Sequence, residues 1–153
     1  MGTYIGQSMK RVEDPRFIQG KGRYVANLTL PNMAHMAIKR SPHAHAKIKR
    51  IDTSAAEALE GVLAVYIGQD LLDDGVGPLP CGWQVPDIKI PVQNALQVDK
   101  VRHVGDRVAM VVAESPYIAY DALDLIKVDY EPLPAAVGAR DTMQAGALVH
   151  DEI

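Results

Sequence analysis

The feature that most constrains this chain lies late in it. Six consecutive apolar residues, Val108-Ala-Met-Val-Val-Ala113, are followed after one residue by Ser115-Pro116. An apolar run of that length reads as a fully buried strand. A serine cap followed by proline starts a helix. Ala119, Ala122, Leu123 and Ile126 then recur on one helix face. Val128 to Glu131 alternates as a further strand, and Pro132 and Pro134 end it. A strand–helix–strand unit of this kind needs a sheet whose face the helix covers.

Residues 46–67 follow the same plan. Ala46 to Ile51 is a partly alternating strand. Ser54 and Glu57 have the spacing of a capping box, Ala55 to Glu60 are good helix formers, and Gly61 suits the position just past a helix end. Val62 to Ile67 is a buried-type strand closed by Gly68. Two such units predict an α/β (α+β) fold, a mixed sheet with short helices packed on it.

The remaining segments are shorter. Asp14-Pro15 opens one helical turn before Gly20, with Asp14 as its cap. Arg23 to Val25 reads as a short strand, and Leu30-Pro31-Asn32 as a turn. Met33 to Lys39 is a strand interrupted by Ser41-Pro42; Val101 to Val104 is a strand before a turn at Gly105-Asp106. Residues 73–95 are rich in glycine and proline and predict a long irregular loop carrying Cys81 and Trp83. The tail, 141–153, has little pattern. The expectation is one domain over 1–153 with its core at 18–134.

A chain of 153 residues can bury roughly 68–70% of its unfolded surface and needs no disulfide or metal staple. A net charge of −3 argues against nucleic acid as a partner, since phosphate binding needs a concentrated basic surface. The one basic stretch, Lys47 to Arg50, alternates with isoleucines and reads as the solvated side of a strand. A single cysteine excludes an internal disulfide and any multi-thiolate cluster. No window approaches 18 apolar residues and no signal peptide is visible, so no membrane span is expected and the cytoplasm is the simplest compartment.

Candidate chemistry is sparse. His43 and His45 would share one strand face, where two imidazoles can meet a metal, but further ligands are needed and a packed or hydrogen-bonded role is the plainer reading. Gly20-Lys21-Gly22 lacks the spacing of a phosphate loop and reads as a tight turn. Cys81 has no base near it in sequence. Asp73-Asp74 and Asp151-Glu152 sit in loop and tail, where neighbouring acids face water. Met33 and Met36 suit packing. No residue is assigned a catalytic, cofactor-binding or metal role.

The order of short motifs is more specific than any one of them. Gly20-Lys-Gly-Arg-Tyr-Val25, Arg40-Ser-Pro-His-Ala-His-Ala46, Ile51-Asp-Thr-Ser-Ala55, Val101-Arg-His-Val-Gly105, Val111-Val-Ala-Glu114 and Val128-Asp-Tyr-Glu-Pro-Leu-Pro134 fall in one sequence over nearly the whole chain. The chain resembles the N-terminal domain of the molybdenum hydroxylases, the family of xanthine dehydrogenase, aldehyde oxidase and aerobic carbon monoxide dehydrogenase. It looks most like the large subunit of the carbon monoxide dehydrogenase type.

The resemblance implies an α/β-hammerhead fold. It also implies that the molybdenum–pterin cofactor and the catalytic glutamate belong to a following domain, reached through the tail at 141–153. Iron–sulfur clusters and FAD would lie on partner subunits. The chain is then expected to be a fragment or a separately encoded first domain that scaffolds a molybdenum-dependent oxidoreductase. Its partners would be the cofactor domain and the iron–sulfur and flavin subunits. Two rival readings stand beside this. One is an autonomous module binding a small ligand or protein through the 73–95 loop and Trp83. The other is a metal-binding protein using His43 and His45.

Overall fold

A computed structural model describes residues 4–145 and 148–151. Two compact units make up the chain, Met1–Met33 and Ala34–Ile153.

In the first unit, helix α1 (Asp14–Ile18) is one turn long, with proline in its first turn. Its N-cap is Glu13, one residue earlier than Asp14. Gly20, at φ +68°, stops it. The Gly20 N–H donates to Phe17 O at 3.0 Å and the Lys21 N–H to Arg16 O at 2.8 Å. That pair of bonds is a Schellman stop, and it gives the Gly-Lys-Gly motif its local job. The strand expected at Arg23–Val25 is instead a 3₁₀ turn, Val25–Asn27. The Asn27 side-chain oxygen accepts from the Tyr24 N–H at 3.1 Å, so a local acceptor takes the donor that a strand would have offered to a ladder.

The second unit contains β1 (His35–Arg40), β2 (Ala46–Asp52), α2 (Ser54–Glu57), β3 (Val62–Ile67) and α3 (Gly68–Asp73). After the long loop come β4 (Lys100–Val101), β5 (Arg107–Ala113), α4 (Pro116–Leu125), β6 (Lys127–Pro132) and α5 (Ala139–Ala145). The single mixed sheet expected from sequence is in fact two three-stranded sheets, in the orders β1-β5-β3 and β4-β2-β6. Every strand pair is antiparallel. For the first strand–helix–strand unit, connection length excludes one alternative. A parallel neighbour needs a crossover of about a dozen residues or more, and only residues 53–61 separate β2 from β3. Residues 114–126 link β5 to β6 and are long enough for such a crossover, yet both units carry the chain from one sheet to the other.

β5, the most apolar strand, is the centre of its sheet, with Val108, Ala109, Val111 and Ala113 fully buried. α4 lies on that sheet through Ala119, Ala122 and Leu123, while Ile126 just beyond it closes the core. Most of this core is alanine, which lets the helix approach the strands closely. Ser115 caps α4, its hydroxyl accepting from the Ile118 N–H at 3.2 Å. A smaller cluster of Ala46, Val101 and Val108, flanked by Ile48, Val128 and Tyr130, lies under the second sheet.

Four local readings change. The Ser54/Glu57 box does not form. Instead Asp52 accepts from the Ser54 N–H and hydroxyl, and Thr53 donates to Glu57 at 2.6 Å. Gly68 begins α3 rather than simply closing β3, because the Asp70 carboxylate accepts from the Ile67 N–H at 2.7 Å. β4 covers only Val101 of the four residues expected, together with Lys100, and the weakly patterned tail contains most of α5.

Candidate functional site

The strongest convergence of polar groups in the second unit lies where the chain passes between the sheets. Residues 41–45 lead from β1 to β2, and residues 102–106 lead from β4 to β5. Asp106 sits at their junction, 1% exposed. Its carboxylate accepts from Gln97 Nε2 at 3.0 Å, the Arg102 N–H at 3.0 Å and the Arg107 N–H at 3.1 Å. His103 Nε2 lies 3.6 Å away. A buried carboxylate is tolerated when donors surround it in this way. Its oxygens are engaged in holding the turn.

Ser41 ties the first crossover to the same point. Its N–H donates to Asp106 O, and its carbonyl accepts from the Gly105 N–H, both at 2.8 Å. Gly105, at φ +85°, makes the turn possible. Tyr130 completes the group, its side chain half-buried near Ser41 and Asp106. Burial pushes the phenol above its ordinary value, the Ser41 hydroxyl works against this, and the nearby Asp106 charge adds to it. The His43 ring stands edge-on to Tyr130, with centroids 4.9 Å apart.

The two sequence-chosen histidines therefore part company. His43 packs on Tyr130, whereas buried His45 bonds Pro134 O through Nδ1 at 2.8 Å. That carbonyl only accepts, so Nδ1 carries the proton. Among the described residues no three His, Cys, Asp or Glu side chains converge for a metal. The Cys81 thiol donates to Trp83 O at 3.1 Å within its own loop. Asp73 accepts from Gln69 on the surface. Asp151 takes a 2.6 Å bond from the largely buried Lys100, beside a recess of about 450 Å³ shared with Lys47 and Asn94. Glu152 lies outside the described residues. Met36 is exposed and Met33 half-buried.

The basic stretch is neutralised locally. Lys49 lies 2.9 Å and Lys47 3.7 Å from Glu131, and Arg50 lies 3.5 Å from Asp52. The Lys49 hydrogen bond holds the Glu131 carboxyl below its usual value. Sequence reasoning passed over Asp106 and Gln97. The available signal was a polar residue between Leu96 and Val98, and an acid placed just before the most apolar strand.

Residues 19–134 match the aldehyde oxidase and xanthine dehydrogenase a/b hammerhead domain. The chain belongs to that family. Over 150 residues the hammerhead chain is 45% identical to the carbon monoxide dehydrogenase large chain of Afipia carboxidovorans, covering 97% of itself and 18% of that relative. It superposes on the crystal structure of a Cu,Mo-CO dehydrogenase with a TM-score of 0.77 at 45% identity, covering 94% of this chain and 17% of that one. Against quinoline 2-oxidoreductase from Pseudomonas putida 86 the TM-score is 0.84 at 42% identity, covering 97% and 19%. The hammerhead chain thus spans about one-fifth of the length of the relatives it matches. No helix among the described residues is long and apolar enough to cross a membrane.

Proposed function

We propose that this chain is the N-terminal scaffold and assembly domain of the large subunit of a molybdenum-dependent oxidoreductase. On this reading it supplies docking surface and holds a strand framework, and the reacting groups lie elsewhere. The observation that carries the proposal is its 45% identity to a carbon monoxide dehydrogenase large chain along 97% of its own length.

A molybdenum–pterin group would belong to the cofactor domain of the same subunit, with iron–sulfur clusters and FAD on partner subunits. The residues in hand do not fit that group. The one thiol is spent on its own loop, His43 and His45 point to different partners, and the Asp106 carboxylate is saturated by donors. No catalytic step is therefore assigned to this chain. Carbon monoxide, aldehydes and nitrogen heterocycles are the substrate classes for the intact enzyme, nucleic acid is not expected as a partner, and the cytoplasm is the expected compartment.

Purifying the 153-residue chain and the intact large subunit in parallel tests this. Molybdenum content and turnover should follow the intact subunit alone. Stoichiometric molybdenum, or oxidation of carbon monoxide or an aldehyde by the 153 residues, would end the proposal.

A second reading rests on Trp83, 78% exposed on a loop that the Leu79 N–H closes onto Gln93 O at 2.8 Å. Such a loop suits an autonomous module for a small ligand or protein. A ligand that raises the melting temperature of the isolated chain by several degrees would favour it.

A further inference from the structure

The first unit presents a physical problem that its own contacts do not solve. None of the described residues from 4 to 33 is buried. Ile5, Val12, Ile18 and Val25 are each at least 85% exposed, and Tyr24 and Leu30 more than 60%. Chains below about 40 residues rarely hold a fold without a staple or a partner, and this one has no cysteine before Cys81.

Yet its shape is specified in detail. Phe17 and Tyr24 stack at 5.6 Å, nearly parallel, and the Arg16 guanidinium lies 4.9 Å above the Phe17 ring. Arg16 also pairs with Glu13, and Arg11 lies 3.6 Å from Asp14. Gly22 lets the ring lie against the backbone, since a Cβ there would come within 2.7 Å of it. Every one of these contacts is local. They arrange apolar side chains without covering them.

The charge of the segment says what kind of surface would cover them. Residues 1–33 carry five Lys and Arg against two acids, Glu13 and Asp14, in a chain whose whole net charge is −3. A recess of about 410 Å³ opens between Arg11, Phe17, Gly22 and Tyr24, with Asn27 at its edge. An aromatic floor with one arginine and an amide at its edge fits an apolar side chain next to a carboxylate.

We propose that residues 4–33 are a preorganised docking arm. Their occupant is a polypeptide surface of the same large subunit, outside these 153 residues, in which apolar slots are edged by Asp and Glu. The inference rests on the large-subunit reading above. It is supported by the relatives' length, about four-fifths of which lies beyond the matched segment. Local ordering before binding lowers the entropy that association must overcome.

The test uses the intact, molybdenum-loaded enzyme. Hydrogen exchange should show residues 4–33 protected at least tenfold more than in the 153-residue chain. Zero-length carbodiimide coupling should join Lys10 or Lys21 to acids outside residues 1–153 of the same polypeptide. Ile18→Asp should lower the protection of the arm and leave that of β5 unchanged; Gly22→Ala, which displaces the Phe17 ring, should do the same more weakly. Equal exchange in both proteins overturns the arm. So do crosslinks that mixed isotope labelling assigns to a second copy, or crosslinks to a different subunit. If the enzyme holds no molybdenum at all, the large-subunit reading fails, and that outcome is distinct from an unprotected arm in a loaded enzyme.

Discussion

The Ser41 N–H donates to the Asp106 carbonyl at 2.8 Å, and this bond joins two of the crossovers that carry the chain between its sheets. Ser41 follows β1 directly and Asp106 precedes β5 directly, so the junction fixes the start of one crossover against the end of the other. The Asp106 carboxylate then holds Gln97 and two backbone N–H groups around the same point.

Removing that carboxylate leaves three donors buried without an acceptor. Asp106→Ala should destabilise the domain by about 3–5 kcal/mol, the usual cost of stranding the partners of a buried charge. Urea unfolding followed by far-ultraviolet circular dichroism measures it. A loss below about 1 kcal/mol would show that the junction carries little of the stability. Asp106→Asn keeps an acceptor and should cost less.

Tyr130 makes stability sensitive to alkaline pH. Burial raises the folded-state phenol above its unfolded value of 10.0. The folded state therefore resists ionisation, while the unfolded chain releases the proton first. Stability is full below about pH 10 and declines as pH rises from there through the folded value. Tyr130→Phe removes this group's share of the decline. Melting curves of the two proteins between pH 8 and 11 should diverge in slope, and parallel slopes would refute the assignment.

Gly68 stands where the start of α3 meets the loop. A Cβ there would lie 2.5 Å from the Gln97 carbonyl oxygen and 2.9 Å from that of Leu96. Both obstacles are backbone and cannot rotate away. The alanine gain in helix propensity, about 1 kcal/mol, is outweighed, and Gly68→Ala should cost about 1–3 kcal/mol net. Gly77→Ala meets nothing within 4 Å and should change stability by less than about 0.5 kcal/mol. Thermal melts of the pair give the comparison; equal melting temperatures would contradict the close approach.

Ser115 provides the N-cap of the one long helix in the second unit, its hydroxyl accepting from the Ile118 N–H. Ser115→Ala should cost about 1 kcal/mol, and Ser115→Asp should recover most of it, because aspartate caps as well and also suits the helix dipole. A Ser115→Asp protein no more stable than Ser115→Ala would count against the cap.

Elements whose signals are local were legible in the sequence. The apolar run Val108 to Ala113 called for a buried strand, and the structure makes it a central strand with Val108, Ala109, Val111 and Ala113 fully buried and Met110 and Val112 partly so. Ser115-Pro116 starts α4, and the stripe of Ala119, Ala122 and Leu123 is the buried face. The family was also legible, through motifs spread along the whole chain. What tertiary structure alone decided is which strands pair. Periodicity says which face of a strand is apolar but not whose backbone completes its hydrogen bonds. Partnership was decided by long-range pairing, β5 with β1 and β3 and β2 with β4 and β6, and two antiparallel sheets resulted where a mixed sheet was expected. The polar junction had the same origin. Ser41, Gln97, Asp106 and Tyr130 span ninety residues of chain, and only the packing of two sheets against each other brings them to one point.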